Sequence, residues 1–114
     1  MLLCAAAVGL SACSTLTSMT YIDAGKSFVL GEGKHGSYRA SVQNTSLGRI
    51  EVFQKSTAGD FEPLGVLKFL QKLDCSVPAN TEVIFKNTSD GKAALKIKLV
   101  GDTGLSMGYK DNNN

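Results

Sequence analysis

Short runs in which apolar and polar residues alternate are the feature that most constrains this chain. Residues 38–43 place apolar side chains at every second position, and residues 50–52 and 95–99 do the same. Alternation with period two is typical of strands that bury one face and expose the other. Helical periodicity is largely absent. The pattern therefore predicts an all-β fold.

Residue types that favour turns separate the alternating runs at regular intervals. They cluster at residues 31–36, 44–48, 58–60, 78–80, 87–91 and 101–104. Gly, Asn, Asp and Pro adopt or nucleate the backbone conformations that tight turns need. This spacing predicts a small antiparallel β-sandwich or barrel of about seven strands.

Residues 63–73, with the sequence PLGVLKFLQKL, fit two kinds of structure. Leu64 and Val66 have the spacing of a strand face. Val66, Leu70 and Leu73 could instead line one face of a helix. We expect a strand in this segment and keep the helix as the alternative.

The tripeptide Asn-Thr-Ser occurs twice between strand-like runs, at residues 44–46 and 87–89. Asn and Ser side chains can bond nearby backbone groups and so nucleate turns. We therefore expect a hairpin connection at both places, as in an antiparallel sheet.

Composition limits the chain to one ordinary domain. Of its 114 residues, 43% are hydrophobic and 19% are charged, which is the balance of a folded globular protein. The net charge of +2 arises from 12 basic and 10 acidic residues. Because the basic and acidic residues are almost equal in number, the charge does not indicate a nucleic-acid partner.

Residues 1–12 (MLLCAAAVGLSA) carry no charge and are apolar from Leu2 to Leu10. A transmembrane helix needs about 20 such residues, so this stretch is too short to span a bilayer. It has the length of the apolar part of a secretory signal peptide. The alternative is an apolar strand or helix that belongs to the folded domain.

The residues Leu10-Ser11-Ala12-Cys13 end this stretch. They resemble the lipobox of bacterial lipoproteins, in which a leucine, a small residue, and a glycine or alanine precede the cysteine. The resemblance implies cleavage before Cys13 and attachment of diacylglycerol to the Cys13 thiol, usually with acylation of the new amino terminus. Several buried acyl chains would give a lasting membrane anchor.

The resemblance also implies a location in the cell envelope. In Gram-negative lipoproteins an aspartate after the cysteine favours the inner membrane, whereas this chain has Ser14. We therefore expect the outer membrane, facing the periplasm or the cell surface. The expected plan is a signal peptide at residues 1–12, a lipidated tether at 13–20, a β-sandwich at 21–109 and a disordered tail at 110–114.

Residues 31–36 (GEGKHG) match the glycine pattern of dinucleotide-binding loops. Such a site needs a helix directly after the glycines, but residues 37–42 alternate like a strand. We expect a flexible hairpin loop here, with Gly33, Lys34 and His35 as a candidate loop site. His35 is the only histidine of the chain, so any histidine-dependent catalysis would need it.

Four basic residues on strand-like runs form a second candidate site: Arg39, Lys86, Lys96 and Lys98. On neighbouring exposed strands they would make a basic patch close to lipid phosphates or an anionic glycan. Exposed lysines also prevent edge pairing between strands. A solvated face without a ligand is therefore the alternative.

No combination of residues in the sequence predicts catalysis. His35 and Cys75 fall short of a zinc ligand set, and the carboxylates are scattered without a paired motif. We predict no enzyme activity, no metal and no cofactor. Cys75 is expected to be a small, partly buried hydrophobic residue, with a disulfide to a second molecule as the alternative.

Together these observations predict a membrane-anchored, non-enzymatic binding or accessory module. Its partners would be the membrane, through the lipid, and an unidentified envelope protein or glycan. The alternative function is a periplasmic enzyme inhibitor that resembles the small lipoprotein lysozyme inhibitors. An inhibitor would present a protruding loop, for which residues 31–36 are the candidate, whereas a binding module would present a flat or grooved face.

Overall fold

The computed structural model describes residues 14–112 of the chain. The predicted signal peptide and Cys13 therefore lie outside the described residues. Residues 14–112 contain no helix with the length and hydrophobicity that crossing a membrane requires. The described strands are β1 (Thr15–Ile22), β2 (Lys26–Leu30), β3 (Tyr38–Asn44), β4 (Ile50–Lys55), β5 (Phe61–Leu67), β6 (Lys72–Val77), β7 (Glu82–Asn87), β8 (Ala93–Gly101) and β9 (Met107–Asp111).

The strands form two sheets. Sheet A has the order β1-β8-β3-β6, and sheet B has the order β5-β4-β7-β2-β9. Neighbouring strands are antiparallel throughout. The predicted all-β class is thus confirmed, and of the two predicted architectures the protein adopts the sandwich.

The two strand orders are related by a simple rule. Adding four to each strand number of sheet A, and counting β1 after β8, gives β5-β4-β7-β2, which is sheet B without β9. An eight-stranded double sheet with this order is a jelly roll. The fold therefore has an internal pseudo-twofold topology, to which β9 adds one edge strand.

Alternation along the strands builds the core between the sheets. In β8 the inward residues Leu95, Ile97 and Leu99 are almost fully buried, while Lys96 and Lys98 between them are exposed. Cys75 in β6 is 9% exposed and belongs to this core. Burial raises the pKa of the Cys75 thiol, so the observed setting matches the predicted core residue.

Asn44 and Asn87 bridge the two sheets at equivalent corners. Both side chains are fully buried. Nδ2 of Asn44, at the end of β3, donates to the carbonyl oxygen of Leu67 in β5 at 2.8 Å. Nδ2 of Asn87, at the end of β7, donates to the carbonyl oxygen of Ile22 in β1 at 2.8 Å.

The two Asn-Thr-Ser segments are not hairpins, so that prediction is wrong. The first connects β3 in sheet A to β4 in sheet B, and the second connects β7 in sheet B to β8 in sheet A. Each Asn holds its turn through a second Nδ2 bond, to Gly48 at 2.6 Å or to Gly91 at 2.8 Å. The same amide group also donates to a strand of the opposite sheet, which is the sheet that the chain enters after the turn.

The predicted tether and tail are also wrong where the structure describes them. Residues 15–20 belong to β1, which pairs with β8, and residues 110 and 111 belong to β9, which pairs with β2. The backbone of Asn112 donates to the carbonyl oxygen of Gly25 at 2.9 Å. Both strands lie at sheet edges and bury few side chains, so the sequence shows no clear alternation there. With these two, residues 14–112 contain nine strands, whereas about seven were predicted.

Residues 63–73 contain two strands and the turn between them. The first five residues end β5, and Lys72 and Leu73 begin β6. The carbonyl oxygen of Lys68 accepts the N–H of Gln71 at 3.0 Å, which closes the turn. The strand expectation is confirmed, and the helix alternative does not occur.

We expect Asn87→Asp to lower the free energy of unfolding by about 3 kcal/mol, because two carbonyl oxygens lose a buried donor. Those carbonyls belong to Ile22 and Gly91. Urea denaturation would measure the change, with Thr88→Ala at the exposed neighbouring position as the control that stays within about 0.5 kcal/mol. Equal stabilities of the two variants would contradict the bridging role of Asn87.

Candidate functional site

The outward face of sheet B carries an apolar row where a solvated sheet usually has polar residues. Val29 in β2, Ile84 in β7 and Phe53 in β4 are direct neighbours in the strand register. Successive strand residues point to opposite faces, so Val29 faces away from the core residues Phe28 and Leu30. Val29 is nevertheless only 2% exposed. It is the floor of a groove on the outside of the sandwich.

This outer groove has a volume of about 310 Å³ and is lined chiefly by apolar atoms. Besides the apolar row, its lining includes Lys55, Phe61, Glu82, Lys86 and Lys110. Gly108 in β9 stands next to Val29 in the register, and no atom lies within 4 Å of the position that a Cβ would take there. The groove therefore stays open at its β9 end.

Two lysine ammonium groups lie over aromatic rings at the groove. Nζ of Lys86 is 6.0 Å from the ring centroid of Phe53, and Nζ of Lys55 is 5.5 Å from that of Phe61. Neither lysine forms an ion pair with another residue in the described range 14–112. Phe61 is 60% exposed, so one wall of the groove is an aromatic ring in contact with solvent.

The β9 side of the outer groove is held by polar contacts. Nζ of Lys110 lies 3.0 Å from Oε2 of Glu32, and this contact raises the pKa of Lys110. Lys26 forms an ion pair with Asp111, which raises the pKa of Lys26. The hydroxyl of Ser27 donates to Oδ1 of Asn112 at 2.5 Å. The Lys26–Asp111 pair thus joins β2 to β9, the Lys110–Glu32 pair joins β9 to the segment after β2, and the Ser27–Asn112 bond holds the residue after β9 against β2.

The predicted basic patch is divided between the two sheets. Lys96 and Lys98 lie on the outward face of β8, and Arg39 lies on the neighbouring strand β3. Lys86 lies in β7 on the other side of the sandwich. The sequence places Lys86 only ten positions before Lys96, but the chain changes sheets at Asn87 between them. Three of the four residues therefore share a face, and Lys86 belongs to the outer groove.

The segment 31–36 joins β2 in sheet B to β3 in sheet A, so it is not a hairpin loop. Its backbone is bonded to two other connecting segments, residues 78–81 and residues 102–106. Gly31 N–H donates to the carbonyl oxygen of Ser106 at 2.8 Å, and His35 N–H donates to Oδ1 of Asn80 at 2.9 Å. Gly36 N–H donates to Oδ2 of Asp102 at 2.7 Å. The segment is held against the rest of the domain along its length.

His35 is held by backbone groups, whereas Gly33 and Lys34 are exposed. Its Nδ1 lies 2.7 Å from the carbonyl oxygen of Gly36, and its Nε2 lies 3.0 Å from that of Thr81. The ring also packs against Tyr38, with the centroids 5.6 Å apart. The three predicted loop residues thus adjoin in sequence but do not converge on a shared cavity.

Tyr38 lies beneath this segment with its hydroxyl buried. Burial raises the pKa of Tyr38, and the hydroxyl has no hydrogen-bond partner among the described residues. A Cβ on Gly31 would come within 3.3 Å of that oxygen and within 3.0 Å of Nε2 of His35. Gly31 also has a φ of +84°, so both its conformation and its surroundings favour glycine.

No group of three metal-ligating side chains occurs within residues 14–112. The hydrogen bonds of the His35 ring go to backbone carbonyl oxygens, and Asp102 accepts backbone N–H groups from Gly36 and Gly104. These two side chains therefore act locally as supports for the connecting loops.

The outer groove was not among the sites that the sequence predicted, although a signal for it is present. Unbroken apolar runs occur at residues 28–30, 52–53 and 83–85. A strand with consecutive apolar residues buries both of its faces. Each run supplies one outward residue to the apolar row, namely Val29, Phe53 and Ile84. The partner strands, and hence the groove, could not be assigned without the fold.

Comparison with known proteins adds no functional assignment. No family model and no curated protein matches the chain. The crystal structure of the Yersinia pseudotuberculosis-derived mitogen is similar at 11% sequence identity, with a TM-score of 0.48. The similarity covers 82% of this chain and 95% of the mitogen chain. A similarity at this level supports no conclusion about function.

Asp102 should make stability depend on acid pH. Hydrogen bonds from Gly36 and Gly104, and the nearby His35, hold the pKa of Asp102 below its usual value. Its contribution is complete above the unfolded-state pKa of about 4 and is lost as pH falls through the lower folded-state pKa. Asp102→Asn should therefore weaken the fall in stability that occurs as the pH drops below about 4.

Urea denaturation at several pH values would measure this effect. Asp90→Asn, at an exposed position, serves as the control with the same chemical change. Identical pH profiles for the two variants would refute the role assigned to Asp102.

Proposed function

We propose that this protein is a lipid-anchored, non-enzymatic binding module of the bacterial envelope, and that the outer groove is its binding surface. The observation that carries the proposal is the apolar row Val29, Ile84 and Phe53 on the outward face of sheet B. Concave sites with an apolar lining and a few placed polar groups are typical of ligand binding. The two unpaired lysines supply such groups.

The anchor is proposed from the lipobox resemblance of Leu10-Ser11-Ala12-Cys13. Strand β1 begins at Thr15, and the carbonyl oxygen of Ser14 accepts the N–H of Gly101 at 3.1 Å. Because consecutive Cα atoms are about 3.8 Å apart, a lipid on Cys13 would lie directly beside this end of the sandwich. The proposed location is the outer membrane, as Ser14 implies.

This placement favours the binding module over the enzyme inhibitor. The segment 31–36 joins strands at the same end as Ser14, because Tyr38 and Gly101 are paired there. In a lipidated protein it would face the membrane surface. Its backbone bonds to Asn80, Asp102 and Ser106 also hold it against the domain. An inhibitory loop would need to protrude toward a soluble enzyme.

The anchor is tested by the intact mass of protein extracted from membranes. We expect the native chain to have lost residues 1–12 and to carry acyl chains on Cys13, since the lipobox directs both steps. Cys13→Ser should remain unlipidated and leave the membrane fraction, whereas Cys75→Ser, which changes a buried cysteine, should not. An unlipidated native chain that retains Met1 would overturn this part of the proposal.

The binding surface is tested by photocrosslinking in cells. A photoreactive amino acid in place of Ile84 should give an adduct, because Ile84 lines the outer groove. The same residue in place of Val100, which is 38% exposed on sheet A, serves as the control. Adducts at both positions, or at neither, would contradict the groove as the binding surface.

A further inference from the structure

We propose that the outer groove binds a single-chain alkyl anion, with the chain on the apolar row and the anionic head at Lys86. This inference rests on the proposed binding function and names the ligand class of the same site. The occupant is a free amphipathic molecule with one chain, such as a medium-chain carboxylate.

The floor of the groove fits an alkyl chain. Val29, Ile84 and Phe53 come from three adjacent strands, and adjacent strands are spaced by about 4.8 Å. They therefore form a continuous apolar path of about 10 Å across the sheet. The path runs across the strands and offers no free strand edge, so it does not suit a peptide that adds a strand to the sheet.

The size of the groove limits the ligand to one chain. Its volume of about 310 Å³ lies at the lower limit of the roughly 300–1,000 Å³ found for small-molecule sites. Phe61 stands at the β5 side with 60% of its surface exposed, where it could cover the end of a bound chain. A ligand with two or more long alkyl chains would exceed this space.

The charges around the groove favour an anionic head at one flank. Lys86 and Lys110 flank Ser27 in the register of β7, β2 and β9. Lys110 is already paired with Glu32, so Lys86 remains free for a ligand. On the opposite flank Glu82 lies beside Lys55 in the register and offsets its charge. Asp111 also lines the groove, but its carboxylate is paired with Lys26. Glu51 neighbours Lys86 in the register but does not line the groove.

The test uses the full chain with Cys13→Ser, purified without detergent so that nothing competes for the groove. Sodium decanoate is titrated below its micelle concentration and followed by amide chemical shifts. We expect saturable shifts centred on Val29, Phe53 and Ile84. Decyltrimethylammonium, which has the same chain and the opposite charge, should bind about tenfold more weakly.

Two variants separate the head from the chain. Lys86→Gln should weaken decanoate binding about tenfold, because it removes the charged partner of the head. Lys98→Gln removes the same charge from the outward face of sheet A and should leave the affinity unchanged. Ile84→Thr keeps a β-branched residue in β7 but makes the floor polar, and it should weaken both ligands.

Three results would overturn the inference: equal affinities for the two ligands, equal effects of Lys86→Gln and Lys98→Gln, or shifts confined to residues outside the groove. The inference would also be overturned if the protein bound vesicles of anionic lipid but did not bind free decanoate. None of these results depends on lipidation of Cys13. A groove adduct in cells together with failure of decanoate would reject the ligand class and leave the proposed binding function standing.

Discussion

The amide groups of Asn44 and Asn87 connect the two sheets at two of the points where the chain passes from one sheet to the other. Each fully buried amide donates both to its own turn and to the last residue of a strand in the opposite sheet. Buried carbonyl oxygens without a donor are costly, so these bonds stabilise crossings that would otherwise open. The pseudo-twofold strand order depends on both crossings, because each one transfers the next strand to the other sheet.

The crossing at Asn87 also determines which side chains share a surface. Ile84 and Lys86 precede it and face outward from sheet B, whereas Lys96 and Lys98 follow it and face outward from sheet A. The basic residues are thereby separated, and Lys86 is brought beside the aromatic ring of Phe53. A surface that looks like one patch in the sequence becomes two surfaces on opposite sides of the sandwich.

The edge strands set the limits of the outer groove. Strand β9 pairs with β2 and places Gly108 beside Val29, which leaves the floor of the groove open. Lys110 lies on the same outward face of β9. At the other edge β5 pairs with β4, and the register of this pair shifts between Val52 and Phe53. Phe61 is the first residue of β5. An apolar floor, an aromatic wall and an unpaired lysine are the physical basis for the proposed ligand class.

The sequence by itself determined the all-β class, the positions of most turns and the alternation that fills the core, because these depend on local periodicity and turn chemistry. The edge strands β1 and β9 could not be predicted from the sequence, since a strand with few buried residues shows no clear alternation. Only the tertiary structure decided that the two Asn-Thr-Ser turns cross between sheets, and that Val29, Ile84 and Phe53 form one groove. Both depend on which strands become neighbours, and that choice is made by contacts between residues far apart in the chain.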